Sequence, residues 1–169
     1  MPDWTARVAK DRAGDLAPGE ELRAAIYFQG RGSAMGQITF GLASGIVGGA
    51  VGNRIAVDKR NEILGRSRSA FHTPEGSIAA RVPDDKGVLA VTTARLIVFG
   101  YKQGMFSTKV EAPVVDIPIE RLVGWSYTSG KVASVLNLAF DDESDVGVEL
   151  PRANRPDRFA EQLAIPTTG

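Results

Sequence analysis

Residues 87–101, GVLAVTTARLIVFGY, decide the fold expected of this chain. Two runs of apolar and β-branched residues, 88–92 and 95–101, flank Thr93 and Ala94. Runs of this kind separated by two residues are typical of a β-hairpin with a tight turn. Short β-rich segments with turn residues between them continue after residue 101. From Gly87 onward the sequence therefore predicts an antiparallel meander, not alternating strands and helices.

The segments around this hairpin extend the same pattern. Strands are predicted over 22–29, 114–119 and 122–128. Pro118 restricts the second of these to a sheet edge or a bulge. Apolar residues alternate over 136–140 and 146–150 on either side of an acidic turn, which predicts a second hairpin.

Short helices are predicted at both ends of the chain. Residues 3–12 have amphipathic spacing. Near the C-terminus, Asn154 is the predicted cap of a helix that opens at Pro156 and places Phe159 and Leu163 on one face.

The uncharged run 32–53 interrupts the β pattern. Gly41, Gly45 and Gly49 recur every fourth residue. Ser44, Gly48 and Gly52 form a second row with the same spacing, offset by one residue. Glycine costs a helix about 1 kcal/mol relative to alanine, so such a helix is expected only where something packs closely against it. The predicted contact residues of this glycine zipper are Ile38, Gly41, Leu42, Gly45, Ile46, Gly48, Gly49 and Gly52.

Parts of the sequence resemble the bacterial pleckstrin-homology-like (PH-like) domains, relatives in shape of GRAM and eukaryotic pleckstrin-homology modules. The matching segments are 16–20 (LAPGE), 88–99 (VLAVTTARLIVF) and 117–119 (IPI), with Leu122 following, together with the C-terminal helix. The resemblance implies an α+β fold, a bent antiparallel sheet of seven strands closed by that helix, acting as a binding scaffold without chemistry. In phosphoinositide-binding relatives, basic residues at the end of the first strand and along the second strand hold the phosphates, whereas residues 87–94, which include the predicted second strand, contain no Lys or Arg. Inositol phosphate binding is therefore not expected.

Two other interpretations of the glycines remain open. Gly30, Gly32 and Gly36 follow a predicted strand and resemble a dinucleotide-binding turn. Their spacing, however, is G-x-G-x-x-x-G where that motif has G-x-G-x-x-G. In addition, no second strand ending in Asp or Glu follows about 20 residues later. The run 32–53 also has about the 20 residues of a membrane span, although it holds few large apolar side chains. A thermal shift with dinucleotides would test the first interpretation, and solubility without detergent the second.

Composition limits the classes of function. Lys plus Arg number 20 and Asp plus Glu number 20, so no net charge attracts nucleic acid. The chain has no cysteine, one histidine (His72) and no signal-peptide pattern at its N-terminus. The acidic turn 141–145 lacks the other ligands of an EF-hand. Lys102, Lys109 and Lys131 lie near predicted strand ends and are candidates for a small basic rim.

The sequence thus predicts a non-enzymatic interaction module without metal or cofactor. Residues 1–30 form the N-terminal helix and first strand, 31–84 a glycine-rich helical insertion with a loop, and 85–169 the remaining strands and closing helix. The expected partners are a second copy or another protein, with peripheral membrane contact left open. The expected location is the cytoplasm.

Overall fold

A computed structural model of the chain describes residues 2–30, 51–52, 73–131 and 133–163. These residues form one antiparallel sheet and two short helices, α1 (Trp4–Asp11) and α2 (Pro156–Gln162). The strands are β1 (Leu22–Gly30), β2 (Val51–Gly52), β3 (Lys86–Thr92), β4 (Arg95–Gln103), β5 (Thr108–Pro118), β6 (Leu122–Thr128), β7 (Ala133–Phe140) and β8 (Asp145–Pro151).

The strand order is β2-β6-β7-β8-β1-β3-β4-β5, and each neighbouring pair is antiparallel. Two meanders make up the sheet: β1 with β3 to β5, and β6 to β8. They join where Gln29 and Gly30 at the end of β1 pair with Glu149 and Val148 of β8. The two-residue strand β2 pairs with the end of β6, beyond the second meander.

Alternation along the strands divides the apolar side chains between two faces. On one face the main core gathers Phe28, Leu96, Leu136 and their neighbours, and Phe159 and Leu163 at the C-terminal end of the chain pack into it. On the other face α1 covers the first meander. Its buried Trp4 and Val8 pack against the second cluster, which contains Val88, Ala90, Ile97, Phe99 and Val110.

The sheet confirms most of the predicted elements. The hairpin of β3 and β4, the hairpin of β7 and β8, the strand β6 and both short helices lie where the sequence places them. Pro118 is the last residue of β5, which is an edge strand, so its missing N–H interrupts no central ladder.

Several predictions differ from the structure. The cap residue of α2 is Arg155, in the left-handed conformation, and not Asn154. Strand β5 begins at Thr108, six residues before the predicted start at residue 114, because it pairs with the whole length of β4. Residues 65–86, predicted as a loop or a second crossing, include Ala79–Arg81, a 3-10 helix, and Ile78 packs in the main core.

Candidate functional site

The segments that carry the sequence resemblance meet at one end of β4. The guanidinium of Arg95 donates through Nε to Oε1 of Glu20 at 2.9 Å and through Nη2 to Oε2 at 2.6 Å. Thr92 Oγ1 donates to the same carboxylate at 2.6 Å. The backbone N–H of Ala17 donates to Oε2 at 2.8 Å. These four bonds form a structural clamp that ties the chain before β1 to the turn between β3 and β4.

Burial and charge make this clamp strong. The Glu20 side chain is only 2% exposed, while that of Arg95 is 25% exposed. The hydrogen bonds from Arg95, followed by those from Thr92 and Ala17, outweigh the effect of burial and lower the pKa of Glu20 from 4.5 to about 2. The same contact raises the pKa of Arg95, and Asp116 contributes through a 3.0 Å bond. The matching motif therefore has a structural role.

The opposite end of β4 leads into an exposed turn, which we call the hairpin tip (residues 103–108). Its last strand pair is Gln103 with Thr108. Inside that pair the N–H of Gly104 donates to the carbonyl of Ser107 at 2.8 Å. A Cβ at Gly104 would lie 3.0 Å from the same carbonyl oxygen, so the turn needs glycine there. Arg7 of α1 donates to the carbonyl of Thr108, which fixes the tip to the helix.

The hairpin tip displays two large apolar side chains. Met105 is 91% exposed and Phe106 is 96% exposed. Among the described residues, the other exposed large apolar side chains are Val114 and Val123, at 58% and 38%. Turns favour small and polar residues, and these two side chains do not pack in the domain core. Their exposure is therefore a reason to look for a contact with a partner.

Two lysines flank the tip on the strands. Lys102 and Lys109 are both exposed and lie directly opposite each other in the β4–β5 register. Lys131 is also exposed, but the connection between β6 and β7 lies at the other end of the sheet, because successive antiparallel strands alternate in direction. The predicted basic rim is thus reduced to Lys102 and Lys109.

An aromatic cluster supports the base of the tip. Trp4 stacks on Tyr27 with ring centroids 5.6 Å apart, and Tyr101 contacts both rings at 5.7 and 4.9 Å. Arg7 lies over the Trp4 ring and Lys86 over the Tyr101 ring. Such rings favour these offset and edge arrangements and attract cations on their faces. The strands that carry the tip are therefore held against α1.

A second polar group lies buried in the second meander. Asn137 Nδ2 donates to Ser126 Oγ at 3.1 Å, and the Tyr127 and Ser134 hydroxyls share a 2.8 Å bond. Asn137 is 2% exposed, and its Oδ1 has no hydrogen-bond partner among the described parts of the chain. Ser126, Ser134 and Asn137 are too buried to meet a partner directly, while Tyr127 is half-buried.

The acidic turn between β7 and β8 has a structural explanation. Asp142 accepts the N–H of Ile78 at 2.8 Å and the N–H of Ser144 at 3.1 Å. Burial would raise its pKa, but these bonds outweigh burial and the pKa is lowered. Within residues 2–30, 51–52, 73–131 and 133–163, no group of three or more His, Asp or Glu side chains is arranged to hold a metal ion.

Most of the predicted contact residues lie outside the described residues: Ile38, Gly41, Leu42, Gly45, Ile46, Gly48 and Gly49. Gly52 is described, and it lies in β2 opposite Tyr127, so the predicted helical row does not extend to it. Of the three glycines in the alternative nucleotide-binding turn, Gly30 is the last residue of β1. Gly32 and Gly36 lie outside the described residues, and so does His72.

Comparison with models of protein families, with curated proteins and with solved structures finds no match to this chain. Among the residues that the structure describes, no helix is long and apolar enough to cross a membrane.

The hairpin tip is not among the residues that the sequence patterns predict as a contact. The signal was present in Gly104-Met105-Phe106-Ser107, where two large apolar residues stand between the small residues of a turn. It was missed because β5 was predicted to begin at residue 114, which left 102–113 without a defined hairpin.

Proposed function

We propose that this protein is a non-enzymatic interaction module with PH-like architecture that contacts its partner through the hairpin tip. One observation carries the proposal: Met105 and Phe106 are 91% and 96% exposed on a turn whose backbone is well bonded. Exposed apolar groups on an ordered support are typical of binding surfaces.

Two features support the PH-like part of the proposal. Apart from the two-residue β2, the sheet has seven antiparallel strands, and the C-terminal segment packs Phe159 and Leu163 into its core. In addition, Glu20 and Arg95 of the resembling segments bind each other directly. Sequence motifs that meet in space define a shared structural element better than separate matches along the chain.

The glycine-rich insertion supplies the second proposed contact, for self-association or for a partner. The sheet fixes both ends of residues 31–50. Gly30 leaves β1 beside β8, and Val51 re-enters the sheet beside β6. Strands β8, β7 and β6 lie between these two points in the sheet. We expect Ile38, Leu42, Ile46 and the rows of glycines to form this contact.

The test uses the intact chain, measured by light scattering and by flotation with lipid vesicles. We expect Gly45→Leu to lower the mass of the assembly or the recovery with vesicles. Gly14→Leu is the matched control, since Gly14 is exposed and a Cβ there meets no atom within 4 Å. If both glycine variants match the parent in both measurements, the glycine contact is wrong.

A deletion refines the same test. Replacing residues 31–72 with a short Gly-Ser linker removes most of the insertion, including β2, but keeps Ile78 and Ala79, which are buried in the main core. A parent that assembles and a deletion variant that is monomeric would support the contact. A replacement that extended to residue 84 would remove core side chains and would report on folding instead.

A further inference from the structure

We propose that the hairpin tip inserts into the interface of an anionic lipid bilayer, an inference that rests on the interaction role proposed above. Met105 and Phe106 enter the boundary between headgroups and acyl chains. Lys102 and Lys109 then contact the lipid phosphates. The partner is the membrane surface as a whole and not one specific headgroup.

The small apolar area at the tip favours a bilayer over a protein. A stable protein interface buries about 800 Å² on each side, whereas one large side chain buries roughly 150–250 Å². Among the described residues, only Val114 and Val123 are also large, apolar and exposed, and neither belongs to the tip. A bilayer needs no such continuous patch, because each inserted side chain gains from leaving water independently.

The positions of the lysines match the depth of the interface. Lys102 precedes Met105 by three residues, and Lys109 follows Phe106 by three. At about 3.3 Å per residue the lysine Cα atoms lie roughly 10 Å behind the apolar pair. Interfacial segments bury their apolar groups by about 5–10 Å. The flexible lysine side chains therefore reach phosphate level when Phe106 reaches the acyl boundary.

The same lysines face each other directly across β4 and β5. Like charges in this cross-strand position destabilise a hairpin in water. Phosphate groups placed between or beside them would remove that repulsion. Across 101–110 these two lysines are the charged residues, and no carboxylate lies among them. The local charge thus favours an anionic surface.

Nearby carboxylates limit the electrostatic contribution. Glu111 follows on β5, and Asp84 and Asp85 precede β3, whose first residue Lys86 lies over Tyr101 at the base of the tip. The formal net charge of the whole chain is zero. Insertion of the apolar pair must therefore provide most of the affinity, and anionic lipid adds to it. Binding of this kind is reversible.

The tip is ordered before it binds. The Gly104–Ser107 backbone bond closes the turn, and Arg7 holds the carbonyl of Thr108. An ordered turn loses little conformational entropy on insertion, which leaves more of the transfer free energy for affinity.

The experiment measures co-sedimentation of the full chain with phosphatidylcholine vesicles, with and without one quarter phosphatidylglycerol. We expect the parent to bind both and to prefer the anionic vesicles. The double variant Met105→Ser/Phe106→Ser should bind at least about tenfold more weakly, since burying one such side chain contributes a factor of about ten or more. Val114→Ser is the matched control and should bind like the parent.

The charge test uses Lys102→Glu/Lys109→Glu, with Lys131→Glu as the control at the other end of the sheet. Each lysine near an anionic surface contributes roughly a factor of five, so the double variant should lose the preference for phosphatidylglycerol. A third variant, Phe106→Trp, reports insertion directly, because its fluorescence should shift to the blue with vesicles. Trp4 and Trp125 are buried and should not shift.

Different results overturn different parts of the reasoning. A parent that does not sediment with either vesicle, or a tip double variant that sediments like the parent, overturns the bilayer inference. If that tip variant instead lowers the assembly mass in light scattering, a second protein copy occupies the tip, and the interaction role stands while the bilayer is wrong. If the folded tip variant changes neither measurement, the bilayer inference is wrong and the tip does not contact a second copy, while the glycine contact is decided separately by Gly45→Leu.

Discussion

Removing the charge of Glu20 should destabilise the fold strongly at neutral pH. A carboxyl whose pKa falls from 4.5 to about 2 on folding contributes about 3 kcal/mol to the free energy of unfolding. In Glu20→Gln, an amide oxygen in place of Oε1 can still accept from Thr92 Oγ1 and Arg95 Nε. The amide nitrogen in place of Oε2 cannot accept from the Ala17 N–H or from Arg95 Nη2, and the charge that strengthens all four bonds is gone. We expect a loss of about 3 kcal/mol, equivalent to a melting temperature lower by roughly 6–12 °C.

The pH dependence provides a sharper test of the same contact. The folded-state pKa of Glu20 lies below its unfolded value, so its contribution is complete above pH 4.5 and is lost as the pH falls towards 2. The difference in unfolding free energy between parent and Glu20→Gln should therefore shrink across this window. Urea unfolding followed by tryptophan fluorescence measures it, since Trp4 and Trp125 are 6% and 4% exposed.

An exposed ion pair serves as the control. Arg121 and Asp141 approach to 2.6 Å, but their side chains are 43% and 40% exposed. Exposed pairs contribute about 0–1 kcal/mol, so Asp141→Asn should have a small effect. The reasoning fails if Glu20→Gln lies within about 0.5 kcal/mol of the parent at pH 7, or if its effect is the same at pH 3 and pH 7.

Three further substitutions test the packing. Gly87→Ala would place a Cβ 3.0 Å from the ring of Phe28 and from a backbone oxygen, so we expect a loss of about 1–3 kcal/mol in urea unfolding, while Gly14→Ala should not destabilise. Asp142→Ala leaves the part-buried N–H of Ile78 without its acceptor and should lower the unfolding free energy by about 1 kcal/mol by the same assay. Trp4→Ala removes the buried anchor of α1 and should cost about 3–5 kcal/mol, measured by thermal unfolding; a change below 1 kcal/mol would mean that α1 is not docked as described.

Local patterns predicted the β elements well where pairing follows directly along the chain. The β3–β4 hairpin has apolar runs on both sides of a two-residue turn, and the β7–β8 hairpin has clear alternation. In both, the information lies within about fifteen residues, so periodicity and turn length are sufficient. The PH-like assignment itself stays a proposal.

The remaining features depend on contacts that sequence spacing does not show. Residues 77–82 have no periodicity, yet Ile78 is buried in the main core and its N–H donates to Asp142, 64 positions away. The first half of β5 alternates weakly and forms because β4 offers it a partner. Of the predicted glycine contact residues, Gly52 lies in a strand, and the others lie outside the described residues.

The clamp and the hairpin tip occupy opposite ends of the same strand. Arg95 opens β4 and Gln103 ends it, so eight steps of about 3.3 Å separate them by roughly 26 Å. Sites more than about 10 Å apart without shared partners act additively. Substitutions at the clamp and at the tip should therefore act independently, so that changes at Met105 and Phe106 leave the stabilising effect of the clamp intact. A binding surface built in this way can change its affinity through two turn residues, while the Glu20–Arg95 pair ties the far end of β4 to the chain before β1.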